Sequence, residues 1–168
     1  FEAHDSERKP PQRSWLQIPK PEVAPAEAPV DVPENLPALP VFGDVLAIGS
    51  EKILLFAGAD ATTFMTRPFF LAGRGMAYGV NVHSESMEPV FRVGAQLYVD
   101  PSRPCKGGDD VIVQIKDGDE QYGIVKRYVS LSVENQTLQQ FNPPKELTIQ
   151  TDKIVAIHKV IGSLAEGS

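Results

Sequence analysis

Val111-Ile112-Val113-Gln114-Ile115-Lys116-Asp117-Gly118-Asp119, with Tyr122-Gly123-Ile124-Val125-Lys126-Arg127-Tyr128-Val129 resuming after Glu120-Gln121, is the stretch that decides the fold. The first run is rich in β-branched residues, which favour the extended chain. Lys116-Asp117-Gly118-Asp119 then reads as a hairpin turn, because glycine adopts the positive φ that two-residue loops require. The return run is apolar on both of its faces. Ile124, Lys126 and Tyr128 share one side of an extended strand, and Val125, Arg127 and Val129 share the other. Lys126 and Arg127 therefore point to opposite sides, and one of the two cations faces covered surface or a cleft.

Further short apolar runs flank this hairpin. Upstream lie Val41 to Ile48, Lys52 to Phe56, Gly79-Val80-Asn81-Val82 and Gln96-Leu97-Tyr98-Val99, with a turn at Pro101-Ser102-Arg103-Pro104. Downstream, Leu138 to Phe141 and Ile154 to Ile161 read as two more strands. Short strands with Gly and Pro punctuation, and no long amphipathic helix, predict a mostly-β domain. Nine of the fifteen prolines fall in residues 1–40. Proline lacks the amide donor of helices and central strands, so residues 1–38 read as an extended linker and 39–168 as the folded domain. Within the linker, Ser14-Trp15-Leu16-Gln17-Ile18 is an apolar island.

Composition narrows the function. The net charge is −6, so this surface repels phosphate and makes a poor nucleic-acid binder by itself. No apolar run approaches the roughly 20 residues that span a bilayer, and the polar, acidic start is unlike a signal peptide, so the expected location is the cytoplasm, with no membrane contact. The single cysteine, Cys105, excludes an internal disulfide, and as a lone turn thiol it reads as inert. Three scattered histidines offer no metal-ligand spacing, and Gly73-Arg74-Gly75 and Gly107-Gly108 are turn signals without a following helix, so no metal and no cofactor is expected.

The chemistry-bearing segment is Ser84-Glu85-Ser86-Met87-Glu88-Pro89. Taken alone, it is a turn, and a lysine in a strand ordinarily snorkels to solvent. Together with a covered Lys126 it becomes a nucleophile and a base. A lysine with its ordinary pKa near 10.4 needs roughly 4–5 kcal/mol to become neutral at pH 7, and desolvation removes much of that cost. The neutral amine then takes the proton of Ser86 as Ser86 attacks a carbonyl, and the backbone amides of Glu85 and Ser86 are candidate oxyanion donors. His83 falls on the side of an extended chain opposite Ser86 and is not the base. Glu85 and Glu88 read as solvated turn residues, and Ser84 as a residue able to orient Ser86.

Ser86-Met87-Glu88-Pro89, followed by Gly94, Gly108-Asp109, Val125-Lys126-Arg127, Asn142-Pro143-Pro144 and Ile154 through Lys159-Val160-Ile161-Gly162, resembles the peptidase S24 domain of LexA and phage repressors over roughly residues 39–163. The resemblance implies a compact domain of short twisted strands that forms a homodimer, with Ser86 as nucleophile and Lys126 as general base. It also implies operator binding through an N-terminal helix-turn-helix domain outside this chain, and self-cleavage upstream of the serine. A recombinase filament, as in the SOS response, or an antirepressor is the implied trigger. Two departures stand out. The family carries Gly-Asp where this chain has Gly94-Ala95. At the spacing of the family's Ala-Gly or Cys-Gly scissile bond this chain has Ile48-Gly49, with a bulky isoleucine before the glycine, while Ala57-Gly58 is nearer to Ser86 and Ala72-Gly73 nearer still. A domain that keeps the fold for dimerisation or sensing without cleaving therefore stands beside the self-cleaving one. Signal peptidase and the UmuD-type polymerase accessory factors share the Ser-Lys segments. They define the alternative reading, a peptidase acting outside transcriptional repression.

Overall fold

The computed structural model describes residues 35–43 and 60–165. Among these, nine strands form one mixed sheet: β1 (Leu39–Phe42), β2 (Thr63–Met65), β3 (Tyr78–Asn81), β4 (Gln96–Asp100), β5 (Asp110–Asp117), β6 (Glu120–Leu131), β7 (Asn135–Phe141), β8 (Pro144–Gln150) and β9 (Ile154–Leu164). Their order is β2-β1-β3-β4-β9-β5-β6-β7-β8. β1 and β3 pair in parallel, and the other described pairs are antiparallel. Three 3-10 turns, Phe69–Leu71, Glu85–Met87 and Thr151–Lys153, are the helical elements among the described residues. The mostly-β expectation holds.

The β5–β6 hairpin runs from Asp110 opposite Arg127 to Asp117 opposite Glu120. Its two-residue loop is Gly118-Asp119, and Gly118 takes φ 63°, the value that a glycine at the first loop position supplies without strain. Alternate residues of β5 enter different cores. Ile112 packs with Val80, Val82, Met87, Leu97, Val99, Val125 and Val160. Val111, Val113 and Ile115 pack with Ile124, Tyr128 and Leu138. Burial on both faces explains why this stretch is a nearly continuous apolar run. Ile112 is fully buried, a burial that contributes about 1.5–3 kcal/mol. A third cluster joins Leu39, Leu71 and Ala77 under β1.

The sheet is irregular near the end of β6. β6 shifts register between Tyr128 and Ser130. The turn before β5 docks there: Tyr128 N–H donates to Asp109 O and Gly108 N–H to Tyr128 O, both at 2.8 Å. Gly107 must be glycine, since a Cβ would lie 2.8 Å from Val129 O.

Two strands lie outside the sequence expectation. β2 is only three residues long, and β8 opens on Pro144 just after Pro143. Proline is tolerated as the first residue of a strand, and the half-buried Leu147 and Ile149 carry the alternation that β8 needs. The expected run Val41 to Ile48 is described only to Gly43. Lys52 to Phe56, the linker up to residue 34 and the Trp15 island lie outside the described residues.

Candidate active site

Ser84 begins the site. Its backbone is extended, and its Oγ accepts the Ser86 N–H at 3.0 Å, capping the 3-10 turn Glu85–Met87. The segment is thus a capped turn and not the extended strand that the alternation argument assumed. The turn closes through Glu88 N–H to Glu85 O at 2.9 Å. Met87 anchors it from below, being 1% exposed and packed into the first core cluster. From the other side, Asn142 N–H in the β7–β8 loop donates to Ser86 O at 3.0 Å. Ser86 is therefore fixed by its own turn, by the core and by a hairpin loop distant in sequence.

Lys126 resolves which cation turns inward. It is wholly buried in the middle of β6, opposite Val111 of β5. Arg127 takes the other face. Its Nε and NH2 groups donate to the two oxygens of Asp110 at 2.9 and 3.0 Å, and its guanidinium lies 4.8 Å from the centre of the Phe141 ring. The hydrogen bond and charge of Asp110 hold Arg127 firmly protonated.

Lys126 Nζ lies 2.9 Å from Ser86 Oγ, within hydrogen-bond reach, and 3.1 Å from Gln140 Oε1. As an ammonium, Nζ donates to Oγ; as an amine, it accepts the Oγ proton. Burial penalises the charged form of any lysine. Gln140, on β7, is 1% exposed, and its Nε2 donates to Asn142 O and Pro143 O, each at 3.1 Å. The sequence reading did not single out this residue.

The remaining candidates separate from this pair. Glu85 is exposed and Glu88 half-buried. The Ser86 amide, a candidate oxyanion donor, is already donated to Ser84, so a developing oxyanion would have to displace that hydroxyl. His83 Nε2 is buried without a hydrogen-bond partner among the described residues. Cys105 is half-buried, and burial followed by the charge of Asp109 pushes its thiol up, away from the reactive thiolate. Among the described residues, no three His, Cys, Asp or Glu side chains are grouped to hold a metal ion. Ile48-Gly49 and Ala57-Gly58 lie outside the described residues, while Ala72-Gly73 follows the 3-10 turn at Phe69–Leu71. In the position where the resemblance leads one to expect aspartate, Ala95 is 7% exposed within the first core cluster, a place where a carboxylate would lose its hydration.

Residues 40–162 match the Peptidase S24-like family, and the chain belongs to that family. It is also 31% identical over 154 residues to the repressor protein C of Rhizobium phage 16-3, an alignment covering 89% of this chain and 58% of that protein. The chain thus spans little more than half the length of this relative. Among the described residues, no helix is long and apolar enough to cross a membrane.

Proposed function

We propose that this chain is the regulatory and dimerisation region of a phage or bacterial transcriptional repressor, and that Ser86 and Lys126 form a dyad for cleavage of the chain's own backbone. The observation that carries the reading is the 2.9 Å approach of a wholly buried lysine to Ser86 Oγ. Likeness to a repressor supports the regulatory role. Operator contact is assigned to a helix-turn-helix module beyond these 168 residues, because a net charge of −6 disfavours DNA. Dimerisation would place two such modules on one palindromic site and raise their effective concentration.

In the proposed reaction, neutral Lys126 takes the Ser86 proton as Oγ bonds to the scissile carbonyl carbon. The carbonyl electron pair moves onto oxygen. Collapse of this tetrahedral species breaks the C–N bond, and the Lys126 ammonium returns its proton to the departing amine. Water then hydrolyses the acyl-serine. The substrate is part of the same chain, so proximity offsets a weak base. Ile48-Gly49 and Ala57-Gly58 are the candidate bonds, and a recombinase filament or an antirepressor is the class of partner that would trigger or substitute for the cut.

The test is intact-mass analysis of the chain after incubation at about pH 7 and about pH 10, beside Ser86→Ala and Lys126→Ala; raising the pH favours the lysine amine. Fragments from the unaltered chain only, faster at the higher pH, are the expected result, and their masses choose the bond. An intact chain under every condition refutes the cleavage. A monomer in sedimentation analysis at micromolar concentration refutes the dimer.

A further inference from the structure

Gln140 makes three hydrogen bonds that together determine its own orientation. Its Nε2 faces two carbonyl oxygens, Asn142 O and Pro143 O. A carbonyl only accepts, so the amide nitrogen must stay on that side and Oε1 must face Lys126 Nζ. Turning the amide over would set an oxygen against two oxygens. Gln140 is also 1% exposed, so water cannot take over these contacts.

We infer that Gln140 is a positioning residue that aims the Lys126 amine at Ser86, an assignment that rests on the dyad proposed above. An amine has two N–H bonds and one lone pair. Oε1 occupies one N–H, which turns the lone pair away from Gln140 and leaves it able to face Ser86 Oγ. The same side chain reaches the nucleophile through the backbone. It holds the Asn142-Pro143 loop, and Asn142 N–H in turn holds Ser86 O at 3.0 Å. Gln140 thus fixes both members of the pair relative to each other. Its Oε1 also stabilises an ammonium more than an amine, since a charged donor makes the stronger hydrogen bond.

Two substitutions shift the base in opposite directions. Gln140→Met keeps the side-chain length and removes the acceptor, so the pH–rate midpoint falls by about one unit while the plateau rate drops ~10-fold or more through lost aim. Gln140→Glu places a carboxylate oxygen beside Lys126 and raises the midpoint, by less than the roughly 1–3 units of an undisturbed ion pair because its second oxygen meets the carbonyls of Asn142 and Pro143. A purely structural role would lower both rates without moving either midpoint.

The rate to follow is phosphonylation of Ser86 by a small fluorophosphonate, read by mass across a pH series. Oγ bonds to phosphorus, fluoride leaves and Lys126 takes the proton, so the reading does not depend on any scissile bond. A parallel NMR titration of the Lys126 side chain reports its midpoint in every variant, whether or not the probe reacts. Opposite shifts in the two variants, with labelling lost in Lys126→Ala, are expected. Labelling that depends on Lys126, with midpoints unmoved in both Gln140 variants, overturns the role of Gln140 alone. If labelling is absent or indifferent to Lys126, the dyad fails, and the role of Gln140 with it.

Discussion

The clamp between Arg127 and Asp110 ties β6, the strand that carries Lys126, to β5. The two side chains are directly opposite in the β5–β6 register, their two hydrogen bonds are 2.9 and 3.0 Å long, and they are 30% and 17% exposed. In a protected setting, a hydrogen bond to a charged group contributes about 1.5–3 kcal/mol. Solvent at the Arg127 side screens the charge and draws the value toward the 0.2–1 kcal/mol typical of exposed pairs. Bidentate geometry keeps it above that floor, so the expected coupling is about 1–2 kcal/mol. A double-mutant cycle of Arg127→Met and Asp110→Asn, read by urea unfolding, isolates this term, since Met retains much of the packing on Phe141. High salt should weaken the coupling without abolishing it, because the groups are in direct contact. Strictly additive effects, within ~0.3 kcal/mol, would show that the clamp adds nothing and that burial alone chooses which cation turns inward.

Two titrating groups away from the site give pH signatures. Asp100 is wholly buried; burial pushes its carboxyl up, but hydrogen bonds from Ser102 and the nearby Arg74 and Arg103 charges outweigh this and hold it below the usual carboxylate range. Its contribution is therefore present above about pH 4 and lost as pH falls through the folded-state value, so Asp100→Asn should cost stability at neutral pH and progressively less in acid, as followed by urea midpoints. A difference that does not change with pH would count against this assignment. Burial lowers the pKa of His158, whose Nδ1 lies 2.7 Å from the Tyr78 hydroxyl oxygen, within hydrogen-bond reach. The unfolded chain then binds more protons as pH drops below about 6.5, stability falls, and His158→Phe should flatten that slope between about pH 8 and pH 5 in thermal unfolding.

Much of the fold was legible because the hairpin declares itself locally. The β-branched run, the Gly118 turn and the apolar return strand each point to the same structure. The choice between Lys126 and Arg127 was not legible from alternation, since both faces of β6 are apolar. The deciding signal was nonetheless present: counting back from the Gly118-Asp119 loop sets Asp110 opposite Arg127 and gives that cation its partner. Gln140 was hidden for a different reason. Beyond the register shift, Ser130 faces Thr137 and Leu131 faces Gln136; continued without the shift, that register would set Phe141 opposite Lys126. The irregularity between Tyr128 and Ser130 moves Gln140 into that place. It arises where the Lys106–Asp109 turn docks, a long-range contact that no local pattern reveals. Ser84 was visible as a neighbour of Ser86, but its capping role required the 3-10 turn to be known.

The sheet also constrains what a cut would achieve. Both candidate bonds lie between β1 and β2, and these strands are antiparallel partners, with Val41 opposite Thr63. The ends of the intervening segment are tied together by Thr62 N–H to Val41 O at 2.8 Å and Thr62 Oγ1 to Gly43 O at 3.1 Å. Cleavage at Ile48-Gly49 or Ala57-Gly58 would leave β1 on the N-terminal fragment, still paired with β2 and β3. Leu39 and Val41 are wholly buried, so peeling β1 away exposes two side chains at about 1.5–3 kcal/mol each, besides the ladder hydrogen bonds. The fragments should therefore stay together in native gel filtration and separate in denaturant. A site-specific protease sequence engineered between Gly43 and Asp60 tests this without relying on Ser86. Spontaneous separation of the two pieces under native conditions would sink the argument. Retention would mean that cutting the chain does not by itself release whatever lies before β1, and that displacement of this strand is the step that regulation must drive.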